Sequence, residues 1–382
     1  MKFLRLAFYV LIAQLVLSGC AGEAVEETSS SSSSEINFDA YVGRNASTRS
    51  SETDIDFLQG TTYNAGFGVF ARYKHTKEDN SPLMLMNNEH VYWKNWKGDR
   101  SDWGYENTRY WPNEGFVDFY AFAPRSEEPK LVSPKDNGIY HIEEPNSTCI
   151  FFPSNMSPVD LVWDNAKGRT KTNERVKFTF KHALARLSFD IDITANQKLE
   201  ENGAVIKVKE VKLYGAEENK GIFIMAGYLN LENGAWTPKD NGTKWFYTWT
   251  PDGKVDGKDE TLEEQQKKGP IYKLSVPPQL DYKTTSVTND KDSYIFIIPQ
   301  SKPANFKLKI IYTVQQGNFE EEVKVYKDLL KVPGVSDPSF TFEGGKAYVF
   351  HFKLSLDPVN FDVQATVGNW IGNEVKDEIT IQ

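Results

Sequence analysis

The chain has 382 residues, enough for two domains of ordinary size. Its formal net charge of −9, which becomes −11 once a leader carrying Lys2 and Arg5 is removed, leaves no basic footprint for nucleic acid. Aromatic residues reach 13% and cysteine occurs only twice, so stability has to come from a core rich in rings and not from a disulfide framework.

The first element is a leader. Lys2 and Arg5 introduce the apolar run 6–17, which closes on Leu17-Ser18-Gly19-Cys20. A charged start, a short apolar stretch and small residues before a cut make an export signal over 1–19, too short to span a membrane with these flanks. The Leu-Ser-Gly-Cys ending resembles the lipobox of bacterial lipoproteins, which implies acylation of Cys20 and cleavage just before it. Each buried acyl methylene contributes about 0.8 kcal/mol, so several chains anchor stably. Residues 20–34 then carry Glu23, Glu26, Glu27 and an unbroken serine run, 29–34. Such a segment buries nothing and reads as a tether. Acidic residues this close to the lipid also resemble the surface-export signal of Bacteroidetes lipoproteins; a plain solvated linker accounts for the same residues.

From Glu35 the hydrophobic period becomes two, the mark of half-buried strands. Ile36, Phe38, Ala40 and Val42 form the first row. A short helix is expected at 53–58, followed by strands at 67–73, 117–123, 175–181, 187–193, 205–214, 294–299, 306–314, 319–326 and 348–356. Turn residues such as Asn233-Gly234 and Gly344-Gly345 punctuate them, and a second short helix is expected at 261–268. The pattern predicts an all-β chain with a few helical turns, closed as sandwiches. The polar stretch 194–203 suggests a boundary after Ile193, giving domains at 35–193 and 194–382, with 252–268 a charged loop insertion in the second.

The chemistry of catalysis is missing from the pattern. His75, His90, His141, His182 and His351 are scattered without metal-ligand spacing, and no nucleophile elbow or phosphate-binding glycine loop occurs. The chain is therefore read as no enzyme, with no cofactor and no metal. His351, on the polar face of a strand, reads as structural or solvated and not catalytic, and Cys149, within 148–152, as a buried strand cysteine. Trp93, Trp96 and Trp103 admit two readings, as rings stacking on a glycan or as core and end-capping residues. The second is favoured because Trp111-Pro112-Asn113 leads directly into the strand at 117–123.

A set of segments in fixed order resembles one family: Gly66-Phe67-Gly68-Val69-Phe70-Ala71, Tyr110-Trp111-Pro112-Asn113, 117–124, Asp160-Leu161-Val162 and 176–187, with Gly345-Lys346-Ala347-Tyr348 and Trp370 near the end. Together they look like the fimbrillin family of Bacteroidales, the Mfa-like branch of the type V pilins. The resemblance implies two tandem β-sandwich domains of transthyretin-like topology and a structural subunit, shaft or tip, of an adhesive pilus. It implies export as an outer-membrane lipoprotein, then processing by an Arg-specific surface protease that removes the lipidated segment with the first strand. A strand from another pilin subunit then fills the vacated groove. Carried onto this sequence, Arg49 is the expected cut and Arg44 the alternative. The removable row is Ile36, Phe38, Ala40 and Val42, and the candidate donor row is Phe361, Val363, Ala365 and Val367 within 360–382. Two other readings stay open at this point: both segments as permanent edge strands of a monomer, or a non-polymerising, glycan-binding surface lipoprotein.

Overall fold

The computed structural model describes residues 34–42, 53–95, 98, 100–134, 141–152, 160–193, 205–218, 220–239, 244–249, 271–272, 279–281, 286–288, 295–354, 362–371 and 374–381. Cys20, Arg44, Arg49, Trp96 and Phe361 lie outside them, as does the helix expected at 261–268.

The N-terminal half holds β1 (Phe38–Val42), helix α1 (Ile55–Leu58), β2 (Phe67–Lys74), β3 (Leu83–Asn95), β4 (Ser101–Gly104), β5 (Phe116–Ala123), β6 (Ser133–Pro134), β7 (His141–Ile142), β8 (Cys149–Phe152), β9 (Val162–Arg169) and β10 (Val176–His182). The sheet order is β1-β10-β9-β5-β2-β3-β4, and its two ends, β1 and β4, come back into contact. One face of this curled sheet encloses Phe67, Val69, Val117, Phe119, Phe178 and Phe38. The alternate residues Phe70, Tyr120 and Phe122 belong to a different cluster on the outer face. β2 and β5 are thus covered on both sides, which explains why they read as nearly continuous apolar runs and not as clean alternation. Asp118, in the middle of β5, tolerates this burial because Lys74 lies 2.7 Å away and the Gly168 N–H donates to it at 2.6 Å.

The chain continues through β11 (Ala185–Ile193), β12 (Val205–Tyr214), β13 (Phe223–Ile224), β14 (Gly227–Asn230), β15 (Trp236–Pro238) and β16 (Lys244–Trp249). Five short strands follow: β17 (Ile271–Tyr272), β18 (Gln279–Asp281), β19 (Ser286–Thr288), β20 (Ile295–Ile297) and β21 (Gln300–Ser301). The last are β22 (Lys307–Gln316), β23 (Phe319–Asp328), β24 (Thr341–Phe342), β25 (Lys346–Leu354), β26 (Asp362–Ile371) and β27 (Glu374–Ile381). Two sheets, β19-β11-β25-β26-β27 and β13-β16-β12-β22-β23, share a core in which Leu187, Tyr348, Phe350 and Val363 meet Val208, Leu213, Ile310 and Tyr312. The chain is all-β, and among the described residues helix is confined to single turns.

Strand pairing divides the chain differently from the sequence reading. β11, placed in the first domain by a boundary after Ile193, runs parallel to β25 in unbroken register from Arg186↔Ala347 to Ile193↔Leu354. The crossing from one half to the other therefore falls at Ala183-Leu184. The halves are also interlocked: β8 from the first pairs with β14 from the second, and Phe70, Tyr120, Phe122 and Trp163 share a cluster with Leu184, Leu229, Leu231, Phe296 and Ile298. Gly234 marks how close this approach is. Its φ is +75°, and a Cβ there would sit 2.2 Å from Cζ2 of Trp163. Gly234→Ala should cost about 3 kcal/mol from combined backbone strain and overpacking. In contrast, Gly317→Ala, at φ +58° with open space around it, should cost only about 1 kcal/mol. Urea midpoints of the two variants check the difference.

Candidate functional site

β1 and the residues just before it fill a slot in the N-terminal half. Ile36 and Phe38 are 0% and 1% exposed, Val42 is buried and Ala40 partly so, whereas Asn37 and Tyr41 face solvent. The expected inward row is the one observed. Phe38 is its centre, with the rings of Tyr105, Phe119, Phe178 and Phe67 at 5.6, 5.8, 5.9 and 6.4 Å between centroids. Burial of side chains of this size contributes about 1.5–3 kcal/mol each.

The main chain of this segment is held on both edges. Its odd residues turn toward β10, with which β1 runs parallel from Phe38↔Val176 to Val42↔Phe180, and the Val176 N–H donates to the Asn37 carbonyl at 2.7 Å. Its even residues turn to the opposite wall. There the Ile36 N–H donates to the Arg109 carbonyl at 2.8 Å and the Trp111 N–H to the Ser34 carbonyl at 2.6 Å. Two side chains complete that wall: the Tyr105 hydroxyl donates to the Ile36 carbonyl at 2.7 Å, and Nη1 of Arg175 to the Phe38 carbonyl at 3.1 Å. β1 ends the sheet, yet it is no bare edge strand.

Arg175 is in turn positioned by Asp102 on β4. Its Nη1 donates to Oδ1 of Asp102 at 2.7 Å and its Nη2 to Oδ2, a two-pronged pair that ties the wall before β10 to the wall at β4. The Arg175 hydrogen bonds hold the Asp102 carboxyl below its usual range. Burial pushes the Tyr105 phenol up to about 12, so it remains a donor at neutral pH.

Beyond Val42, residues 43–52 carry Arg44 and Arg49, and the chain is described again from Thr53. Thr53 is buried; its N–H donates to Oδ2 of Asp160 at 2.7 Å and its hydroxyl to the Asp160 carbonyl. Oδ1 of the fully buried Asp160 lies 2.9 Å from Nδ1 of His182. His182 is two residues beyond Phe180, the partner of Val42, so both ends of the 43–52 connection are fixed beside β10. Asp54 then caps α1 by accepting from the Phe57 N–H at 2.7 Å.

The candidate donor row is engaged in its own chain. β26 pairs with β25 on one side and β27 on the other, and Val363 and Ala365 are buried in the C-terminal core. Of the tryptophans considered for a glycan, Trp103 is buried with its ring 5.2 Å from both Phe67 and Trp93, and Trp93 packs against the same core. A groove of about 1130 Å³ opens between the halves beside Tyr41, Phe180 and Trp236. The Trp236 ring N–H is already given to the Ala183 carbonyl at 2.7 Å. Among the described residues, no group of three or more His, Cys, Asp or Glu could hold a metal ion. Tyr105, Asp102, Arg175 and Asp160 were not legible as site residues, because each acts on a segment at least 69 residues distant in the chain.

The fimbrillin-like family model matches residues 48–370, and the chain belongs to that family, one of fimbrial structural subunits and not of enzymes. It is 22% identical over 394 residues to the fimbrium subunit Fim1C of Phocaeicola vulgatus, covering 96% of this chain and 97% of that protein. A fimbrial protein from Bacteroides vulgatus, solved at 2.55 Å, superposes with a TM-score of 0.54 at 18% identity, over 88% of this chain and 99% of that one.

Two expectations follow from the slot. Phe38→Ala should destabilise by about 3–5 kcal/mol in urea unfolding, whereas Tyr41→Ala, at a half-exposed position, should stay within about 0.5 kcal/mol. Acid should loosen the strand first. Asp102 has a folded pKa below its ordinary value of 3.8, so its contribution is complete above that value and is lost as the pH falls through the lower, folded one. Hydrogen exchange below about pH 4 should therefore accelerate in β1 before it does in β5.

Proposed function

We propose that this protein is a pilus subunit exported to the cell surface as a lipoprotein on Cys20, and that β1 is a blocking strand released by proteolysis so that subunits can polymerise. The observation that carries the reading is the slot itself. A short segment with its apolar row among aromatic rings and its main chain paired on both edges is joined to the body through the one connection that contains Arg44 and Arg49. Cutting after Arg49 takes away the lipid and the covalent hold on β1 together. The exposed groove, with unpaired amides along β10 and apolar walls, accepts an extended strand by β-augmentation.

The donor proposed is the row Phe361, Val363, Ala365 and Val367 of another subunit. β26 and β27 stand at the end of their sheet, so this hairpin can leave by opening only the β25–β26 ladder among the described pairings. The subunit's partners are then other pilin subunits and an Arg-specific surface protease. Its location is the outer membrane before processing and the fimbrium afterwards, where it supports adhesion. The buried position of Trp103 and the core packing of Trp93 give no support to a glycan-binding monomer.

The test is incubation of the purified full chain with an Arg-specific protease, followed by size-exclusion chromatography and electron microscopy. Oligomers should grow on cleavage, and Arg49→Ala should reduce the yield at least tenfold while Arg44→Ala leaves most of it. A chain that is cut at Arg49 yet stays monomeric contradicts the proposal.

A further inference from the structure

We infer that Tyr105 and Arg175 are main-chain readers of the groove: they bind two carbonyls, two residues apart, on whatever strand occupies it, and so recognise an extended backbone independently of its side chains. This inference rests on the strand-exchange reading for its biological meaning, but its physical content concerns the groove alone.

A strand edge is normally satisfied by the ladder of a neighbouring strand. β1 obtains its partners on one side from the β10 ladder, whereas on the other side the described pairings hold only the isolated Glu35↔Tyr110 bridge just before it. There, the carbonyls of Ile36 and Phe38 are met by the Tyr105 hydroxyl at 2.7 Å and Nη1 of Arg175 at 3.1 Å. Residues i and i+2 of any extended strand present their carbonyls along the same edge, about 6–7 Å apart. Two fixed donors at that spacing therefore fit a strand of any sequence.

The donors are also preorganised. Tyr105 is buried and touches the Phe38 ring, and its hydroxyl accepts from the Arg109 N–H at 3.1 Å, which orients it. Arg175 is clamped by both oxygens of Asp102, a contact that does not involve β1 at all. When the strand departs, the Arg175–Asp102 pair still spans the two walls and keeps the donor aimed into the slot. Asp102 is accordingly a positioning residue, and Arg175 and Tyr105 determine how tightly the backbone is held. Side-chain selectivity stays with the aromatic pocket around Phe38.

The experiment uses the full chain nicked between Val42 and Thr53 by an Arg-specific protease, with exchange of the bound fragment against a labelled synthetic 34–42 peptide followed by fluorescence anisotropy. Tyr105→Phe and Arg175→Lys should each release the strand about tenfold faster, the size expected for one hydrogen bond. A peptide with an ester between residues 38 and 39, which weakens the Phe38 carbonyl as an acceptor, provides the specific readout. It should lose at least threefold more affinity for the wild type than for Arg175→Lys, whereas an ester between residues 40 and 41 should lose the same in both. Equal release from wild type and both variants, including no release from any, overturns the inference, as does an ester effect blind to Arg175. A labelled 362–371 peptide forms the separate arm: its failure to enter the groove counts against the strand-exchange reading and leaves the 34–42 result standing.

Discussion

The packing of Phe38 among Tyr105, Phe119, Phe178 and Phe67 is the constraint on which the rest of this structure turns. Those four rings come from four different places in the N-terminal half, and the side chain that unites them belongs to a strand of five residues. Short strands contribute few hydrogen bonds, so apolar burial has to dominate the hold on β1. Under the proposed exchange that balance suits the strand: covalent attachment makes the slot's occupancy intramolecular, and a cut would convert the same contacts into a bimolecular equilibrium.

Much of the packing in the rest of the body does not involve β1. β5 lies at the centre of its sheet, buried on one face by the pocket core and on the other by the cluster shared between the halves. The pairing of β8 with β14 and the parallel pairing of β11 with β25 add contacts that do not involve β1. Asp160 fixes Thr53 on the far side of the connection, so the chain beyond residue 52 has its own buried anchor. The division of labour is physical: one cluster depends on β1, and the other two large ones do not.

Much of this was legible in the residues. The rows at 36–42 and 348–352 alternate because one face is buried, and period two reports that directly. The order of motifs pointed to the family that the match over 48–370 establishes. The domain boundary was not legible, since alternation in β11 says that one face is covered and not which sheet covers it; parallel pairing with β25, more than 150 residues away, decides that. β26 posed the same difficulty. Its apolar row reads equally well as a donor strand or as part of its own sheet, and in this structure it is in its own sheet. The carbonyl-binding roles of Tyr105 and Arg175 left no local signature, because a hydrogen bond from a side chain to a distant main chain imposes no periodicity.

The most direct measurement is a photo-crosslinking residue placed at Thr179, an exposed position on β10 that pairs in register with Tyr41. In the uncut chain the product should be a link within one molecule to residues 38–42. In protease-assembled polymer it should become a link between molecules, to residues 362–381 of a second copy. If the assembled material still carries the link to 38–42, the groove is not the site of exchange and the account fails.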